Sequence, residues 1–348
     1  MQSFSREYLE RLVVPPRLIA TIRRIGEYKG RQELYRQQAP EMLESLRQVA
    51  VIQSTESSNR LEGITADYGR IRELIEQKAS PANRPESEIA GYRDVLNTIH
   101  TNYPHIPFQD NVVLQLHRDL MKYTGGEGGR WKSAPNEITE YLANGSKRIR
   151  FVPVEPAFVQ DYMRRLHERY TELEKEQIFD PLVIVPLYLL DFLCIHPFLD
   201  GNGRMARILS VLLLYRYNYE VGRYISLERI IEQTRESYYD TLYQSSLGWH
   251  AGGHNVLSWM EYFLATVLAA FREFEGRLGK ISSGRGSKTD MVLNAINGFI
   301  GDFTLADLEK VCPTVGKDMI RTLMKRLKSE GRLEALSKGR YARWRKIQ

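Results

Sequence analysis

Two almost uniformly apolar segments, separated by a short polar one, restrict the fold of this chain more than any other feature of its sequence. Residues 181–195 and 208–215 carry very few polar side chains, and helices that are apolar on all sides are usually buried. Between them, residues 196–207 read His-Pro-Phe-Leu-Asp-Gly-Asn-Gly-Arg-Met-Ala-Arg. The pattern predicts a mainly α fold in which a polar turn joins two core helices.

The backbone of this turn is suited to binding an anion. Gly201 and Gly203 allow a tight loop, and Asn202 is expected to cap the helix that follows. The amide groups at the start of that helix would face outward together with the positive end of the helix dipole. Such a loop is a cradle for phosphate groups.

Four side chains of the same segment offer reactive or charged groups. His196 has an ordinary pKa near neutrality and can take a proton from an attacking hydroxyl. Asp200 offers a hard oxygen ligand for Mg²⁺, and Arg204 and Arg207 share a helix face from which they can hold phosphates. Taken alone, His196 could be a core histidine and Gly-x-Gly an ordinary turn. Their combination favours phosphoryl or nucleotidyl transfer.

The segment resembles the motif of the Fic family, His-Pro-Phe-x-(Asp/Glu)-Gly-Asn-Gly-Arg-x-x-Arg, at every fixed position. The resemblance implies a helical bundle that transfers AMP from ATP to a Tyr, Thr or Ser hydroxyl of a protein target. It also implies that His196 is the base and that Asp200 holds Mg²⁺. The Gly-Asn-Gly loop, Arg204 and Arg207 would bind the nucleotide phosphates.

An upstream segment resembles the inhibitory-helix motif of the same family, (Ser/Thr)-x-x-x-Glu-(Gly/Asn), with Ser58 and Glu62 in its fixed positions. The resemblance implies that the Glu62 carboxylate reaches Arg207 and takes the place of the ATP γ-phosphate. Transfer, including self-modification, would then be held off until the helix moves. Without the other motif, Glu62 could be a surface carboxylate paired with Arg60. If Glu62 instead orients a water molecule, the same site could remove AMP from modified protein.

Two weaker likenesses lie on either side of the main motif. Residues 132–154 resemble a β-hairpin flap onto which the target protein docks by strand addition. Independently of this resemblance, the Asn-Gly turn within residues 143–146 predicts a hairpin. Tyr238 resembles a tyrosine that lies beside the nucleotide, with a core position as the alternative. His250 and His254 are four residues apart, but no third metal ligand is evident; we interpret them as loop histidines.

The positive charge of the chain is concentrated after a Gly/Ser-rich segment. Residues 282–348 contain 14 Lys and Arg against 7 Asp and Glu, whereas the whole chain has a net charge of +6. Predicted helices at 289–300, 304–311 and 316–330, followed by a hairpin with Gly339 at its turn, resemble a winged helix-turn-helix. A basic helix and wing suit a DNA backbone, but modules of this kind also mediate dimerisation or docking.

Length and composition set the remaining expectations. The 348 residues, 43% hydrophobic and 26% charged, suit a soluble protein of two or three domains. We expect a helical N-terminal region at 1–105, a catalytic domain at 106–275, a linker at 276–287 and the C-terminal module at 288–348. No leader or membrane span is evident, and two cysteines give no disulfide framework. A cytoplasmic protein is therefore expected.

Two classes of function stay open. One is an adenylyltransferase that uses ATP and Mg²⁺ and is restrained by Glu62. The other is a nucleotide-sensing, DNA-binding regulator with weak or no transferase activity. The intact set of His196, Asp200, Arg204 and Arg207 favours the enzyme, because a degenerate site usually loses its base first.

Overall fold

The computed structural model describes residues 2–38, 40–126, 128–141, 146–279, 287–299, 302–312, 315–337, 339 and 342–347. The helices of the first half are α1 (Arg6–Arg11), α2 (Pro16–Gln38), α3 (Pro40–Leu61), α4 (Tyr68–Ile75), α5 (Arg84–Asn102), α6 (Asp110–Leu120) and α7 (Pro156–Glu176). Those of the second half are α8 (Pro181–Ile195), α9 (Asn202–Arg216), α10 (Leu227–Gln233), α11 (Arg235–Ser246), α12 (Leu257–Gly279), α13 (Ser287–Gly298), α14 (Leu305–Val311) and α15 (Lys317–Ser329). The strands are β1 (Ile138–Tyr141), β2 (Lys147–Phe151), β3 (Phe303–Thr304), β4 (Leu333–Ala335) and β5 (Arg343–Lys346).

The two apolar segments form α8 and α9 in the centre of the protein, as predicted. Asp180 caps the start of α8 by accepting a hydrogen bond from the Leu182 amide. Most residues of both helices are buried. Because neither helix has a solvent-exposed face, the loop between them is held rigidly at both ends. The mainly helical fold is confirmed.

The N-terminal helices pack directly on this bundle. α2 lies against α12, α3 lies against α5 and α10, and α7 and α9 cover α8. The chain before α1 is also anchored: Asp191, in the middle of α8, accepts hydrogen bonds from the Ser3 amide and from the Trp249 indole. α3 is therefore built into the core, and its last turn lies next to α9.

The predicted hairpin is present as strands β1 and β2, which pair antiparallel. Ile138 lies opposite Phe151, and a register irregularity follows before Thr139 pairs with Ile149. The tip of the hairpin, residues 142–145, lies outside the described residues. The pair packs against α11, so that the expected flap stands beside the end of the central helices.

The C-terminal unit, defined here as residues 287–347, contains α13 to α15 and a three-stranded sheet of order β3-β5-β4. Thr304 and Asp307 form a capping box at the start of α14. The order of elements agrees with the sequence-based expectation, while the assignment as a winged helix-turn-helix stays a prediction. The expected linker boundary at 276 is wrong, because α12 continues to Gly279 with Leu278 buried in the core. Residues 280–286 lie outside the described chain.

Both cysteines, Cys194 and Cys312, are buried and unbridged. None of the described helices combines the length and the apolar composition that crossing a membrane requires. The cytoplasmic location stays a prediction.

A close approach between α5 and α6 leads to a prediction about Gly91. A methyl group at Gly91 would lie 2.0 Å from the carbonyl oxygen of Leu120, a backbone atom that cannot turn aside. Gly91→Ala is therefore expected to lower the free energy of unfolding by about 1–3 kcal/mol in urea denaturation. Gly26→Ala is the matched control, because nothing lies within 4 Å of the added methyl on α2, and it should stabilise by about 0.5–1 kcal/mol. Similar losses in both variants would contradict the prediction.

Candidate active site

The loop between α8 and α9 is shaped by two residues with left-handed backbone conformation. His196 ends α8 at φ 51°, and its amide donates to the Phe192 carbonyl at 2.9 Å. Gly201, at φ 81°, occupies the cap position before α9. The expectation that Asn202 caps this helix is wrong. Its side chain instead accepts from the Phe198 amide at 2.9 Å and donates to the Phe198 carbonyl at 2.8 Å, which closes the loop.

The imidazole of His196 is fixed in the tautomer that a general base needs. Its Nδ1 lies 3.3 Å from the Leu193 carbonyl, and because a carbonyl only accepts, Nδ1 carries the proton. The lone pair of Nε2 is thus available to take a proton. Burial lowers the pKa of His196 to about 4, so that the ring is neutral near physiological pH.

Three residues outside the motif support the loop, and the sequence interpretation missed them. The Lys132 amide donates to the Pro197 carbonyl at 2.8 Å, and the Asn136 side chain donates to the Phe198 carbonyl at 2.9 Å. His117 stacks on Phe198 with ring centroids 3.6 Å apart, and its Nε2 lies 3.1 Å from the Asp200 carbonyl. The glycine-rich stretch before Lys132 was the one sequence signal near these residues, and it did not point to contacts with the loop.

Arg207 is bound by the last turn of α3. Its Nε and Nη2 donate to the hydroxyl and carbonyl oxygens of Ser58, each at 2.8 Å, and Nη2 donates to Glu62 Oε1 at 2.7 Å. The guanidinium group is buried, whereas the Glu62 side chain is 32% exposed. Burial lowers the pKa of Arg207, but the Glu62 carboxylate together with the Tyr238 and Tyr92 hydroxyls raises it above its ordinary value. The structure therefore brings together three residues that the two motifs singled out.

Gly203 makes room for the Glu62 carboxylate. It lies in the first turn of α9 rather than in the loop, which corrects the role expected for it. A Cβ atom at this position would stand 2.2 Å from Glu62 Oε1. A side chain here would therefore occupy the same space as the carboxylate, next to the Arg207 guanidinium group.

Arg204 and Arg207 are three residues apart but have different partners. Arg204 is 1% exposed and pairs with Glu88 at 2.7 Å and with Asp200 Oδ1 at 3.3 Å. The other oxygen of Asp200 lies 3.1 Å from Arg84. Asp200 is half-exposed, as suits a single carboxylate that shares Mg²⁺ with bound phosphates. Within the described part of the chain, no group of three or more His, Cys, Asp or Glu side chains is arranged to hold a metal ion.

A cavity of about 520 Å³ opens beside the loop, and a pocket of this size suits a small-molecule ligand. Of the predicted site residues, those that line it are His196, Gly203, Arg207, Tyr238 and Glu62; those that do not are Ser58, Asp200, Gly201, Asn202 and Arg204. Tyr238 is buried in the cavity wall, and burial raises its pKa above the ordinary value.

Aromatic and cationic side chains missed by the sequence interpretation also line the cavity. The Arg150 guanidinium group, from β2, lies 4.4 Å from the ring centroid of Tyr243. Arg235 lies 5.7 Å from the ring centroid of Tyr239, whose hydroxyl donates to the Leu61 carbonyl at 3.1 Å. Flat aromatic and guanidinium surfaces are suited to stacking against a nucleobase.

Comparisons with known proteins agree with this geometry. Residues 107–214 match the model of the Fic/DOC family. The chain is similar to Protein adenylyltransferase Fic of Nematostella vectensis, with 24% identity over 57% of this chain and 44% of that protein. It is also similar to Protein adenylyltransferase fic-1 of Caenorhabditis elegans, with 24% identity over 54% and 35% of the two chains. The chain thus spans less than half the length of these curated relatives.

Solved structures extend the likeness in fold. A Fic family protein from Desulfovibrio desulfuricans G20 superposes with a TM-score of 0.62 and 20% identity over 97% of both chains. A Fic domain containing signaling protein from Bacteroides thetaiotaomicron VPI-5482 gives a TM-score of 0.59 and 22% identity, covering 72% of this chain and 94% of that one. Residues 107–214 thus match the Fic/DOC family model, and the fold of the chain is shared with solved proteins of that description.

Proposed function

We propose that this protein is a protein adenylyltransferase, which transfers AMP from ATP to a hydroxyl group of a protein target and is restrained by Glu62. One observation carries the proposal. His196, neutral and with Nε2 unprotonated, lines the same cavity as Gly203 and Arg207. A base for a hydroxyl and a cation for phosphates thus face one space of suitable size. The names of the two curated relatives support the same activity.

The reaction assigns a role to each motif residue. His196 takes the proton of the attacking hydroxyl, whose oxygen forms a bond to the α-phosphorus while the bond to the pyrophosphate oxygen breaks. Arg204 and Arg207 would hold the phosphates, and the backbone amides from Gly201 in the loop to Gly203 in the first turn of α9 would bind them at the start of that helix. Mg²⁺ held by Asp200 would neutralise phosphate charge when it is bound. Tyr238 would lie beside the nucleotide.

Glu62 would restrain the reaction by occupying Arg207. A carboxylate and a γ-phosphate are competing partners for one guanidinium group, and charge-assisted pairs of this kind are strong. Ser58, which does not line the cavity, holds the same arginine through two hydrogen bonds. ATP could then bind with its α-phosphate correctly placed only after Glu62 leaves. De-AMPylation at the same site would need Glu62 to stay and orient a water molecule.

The protein target would dock on the hairpin of residues 132–154. Ile149 and Val152 are both about half exposed there, and neighbouring exposed apolar residues can form part of an interaction site. An extended target segment could add to the β1–β2 pair through main-chain hydrogen bonds and present a Tyr, Thr or Ser hydroxyl to His196. The protein's own chain could serve as such a target.

The position of the transferred label tests the proposed activity. Glu62→Gly protein, Mg²⁺ and ATP labelled at either the α- or the γ-phosphate are incubated, and label is followed on the protein and on added targets. The α-label is expected on protein, including the enzyme itself, and the γ-label is expected in pyrophosphate. Label transferred only from the γ position would mean a kinase. No label from either position would favour the regulator.

A DNA-binding regulator is the second candidate, and α15 is the observation that favours it. Its apolar side chains Ile320 and Leu323 are buried, while Arg321 and Arg326 are about half exposed and form ion pairs along their own segment. Such a basic face suits a phosphate backbone, and the same face could also bind a second copy of the chain. An affinity for duplex DNA that did not fall with added salt would remove this candidate.

A further inference from the structure

The last turns of α3 are both polar and buried. Every residue from Gln53 to Asn59 is at most 7% exposed, although none of the seven side chains is apolar. Some are hydrogen-bonded: the Ser54 hydroxyl donates to the buried Glu228 carboxylate at 2.6 Å, and Glu56 pairs with Arg60. Little apolar surface would be exposed if this segment moved, so that the hydrophobic effect holds it only weakly. The segment that carries Ser58 needs another restraint.

The C-terminal unit provides contacts to the other end of the same helix. α13 and α14 pack against α3. Leu43 and Leu46, on the first turns of α3, are buried, and the Ser45 side chain is close enough to the Cys312 thiol to lower its pKa against the larger effect of burial. α3 thus buries leucine side chains in its first half, near the C-terminal unit, and is polar in the half that ends next to Glu62.

Ion pairs join the C-terminal unit to the helix on the other side of Glu62. Arg72 of α4 pairs with Asp307 of α14, and both side chains are 12% exposed. Glu76, which directly follows the last residue of α4, pairs with Lys310 at 2.6 Å. The Arg72 guanidinium group also lies 5.9 Å from the ring centroid of Phe299. Along the chain Arg72 precedes Glu76, whereas the anion Asp307 precedes the cation Lys310. Each charge therefore faces the opposite charge of the other segment.

Glu62 lies in the short connection between the two helices that the C-terminal unit contacts. α3 ends at Leu61 and α4 begins at Tyr68, with Gly63 in the left-handed conformation at φ 77°. We propose that the C-terminal unit acts as a clamp, which holds Glu62 on Arg207 through its contacts with α3 and α4. Loosening these contacts then releases the restraint. The effect of the clamp on AMP transfer rests on the proposed function, whereas its effect on the mobility of α3 does not.

A charge exchange at the Glu76–Lys310 pair tests the clamp in the full-length protein. Glu76→Lys and Lys310→Glu each place like charges opposite one another, and we expect each variant to loosen α4 from α14. The double variant restores opposite charges at this pair, but recovery is expected to be partial, because position 76 also faces Arg72 at 3.2 Å and Lys78 at 2.7 Å. Lys310→Gln removes the pair without introducing repulsion, and its effect should be in the same direction but smaller. Lys317→Glu is the matched control, because Lys317 pairs with Glu309 within the C-terminal unit.

Two measurements are made on each variant. Hydrogen exchange of the amides of residues 53–62 reports the mobility of the end of α3, and α-label transfer from ATP reports activity. Each single reversal is expected to raise the exchange rate and the rate of label transfer by about 5-fold. This value is at the lower end of the range for energetic coupling between distant sites. The double variant should return towards wild type, and Lys317→Glu should match wild type in both.

The clamp would be overturned if the single reversals left the exchange at α3 unchanged, or if the double variant failed to restore it. An equal rise in Lys317→Glu would also overturn it, since that change loosens only the C-terminal unit itself. The proposed function is judged separately. If exchange responds as expected while no variant, including Glu62→Gly, transfers α-label, the clamp stands and the adenylyltransferase proposal fails.

Discussion

Replacing Glu62 by glycine is expected to raise the rate of AMP transfer by about 10- to 100-fold. The carboxylate must leave Arg207 before a γ-phosphate can take its place, and a hydrogen bond to a charged group contributes about 1.5–3 kcal/mol. That free energy corresponds to the expected range of rates. Because Glu62 follows the last residue of α3, glycine there costs less helix stability than it would in the interior of the helix.

The measurement is the initial rate of α-label incorporation, at ATP concentrations on both sides of the KM of wild type. Glu44→Gly is the matched control, since Glu44 lies on the same helix, 54% exposed and 3.9 Å from Arg47. It perturbs α3 without touching Arg207. If Glu44→Gly activates as strongly as Glu62→Gly, loss of helix stability rather than removal of the carboxylate explains the effect. No activation in Glu62→Gly would refute the restraint.

The sequence identified the central part of the site because the relevant information is local. Two apolar helices and a glycine-containing turn fix the path of the backbone at His196 and Gly201, whatever surrounds them. Asn202 was expected at the cap position, but Gly201 occupies that position and the Asn202 side chain has a different partner. The side-chain amide of Asn202 closes the loop by hydrogen bonding to the Phe198 backbone. Asparagine serves both as a helix cap and as a loop-closing residue at nearly the same position, so the sequence does not distinguish the two roles.

The contacts that surround the loop could not be predicted in this way. His117 meets the Asp200 carbonyl across 83 positions of the chain, and Arg84 meets the Asp200 carboxylate across 116. No periodicity or motif of a single sequence relates residues so far apart. The supporting role of Lys132 was missed for the same reason, although Lys132 is the first residue of the predicted flap.

The buried polar stretch of α3 contradicts the usual rule for interpreting helices. Polar side chains on every face predict a solvent-exposed or unstable helix, whereas residues 53–59 are buried. Only the resemblance to a family motif related Glu62 to Arg207. Departures of this kind are expected where a segment has a function besides stability, which agrees with a helix that must be able to move.

Charge composition marked out the C-terminal unit but not its position. The excess of Lys and Arg after residue 282 is visible in the sequence and suggests an independent module facing solvent. In the structure the acidic Asp307 and the basic Lys310 face α4 instead. A summed charge does not show which individual ions pair with another part of the chain, and these ions join the unit to the helices around Glu62.

Replacing His196 by alanine in the Glu62→Gly background is expected to lower AMP transfer by about 10²- to 10⁴-fold, the usual contribution of a general base. Binding of ATP should change much less, because His196 Nε2 is assigned to the attacking hydroxyl and not to a phosphate. Transfer rates and the Kd for ATP are measured side by side. A large loss of ATP affinity with little change in maximal rate would mean that His196 binds the nucleotide rather than acting as the base.

The backbone at position 196 requires a second variant. His196 has φ 51°, a conformation in which asparagine is accepted more readily than alanine, so His196→Asn separates loss of the base from strain in the loop. Both variants are expected to lose transfer to a similar extent, because neither side chain takes up a proton at neutral pH. His105→Ala, in an exposed turn, should keep full activity. If asparagine restored transfer, the imidazole would have a structural role at the end of α8, and a different group would have to accept the hydroxyl proton.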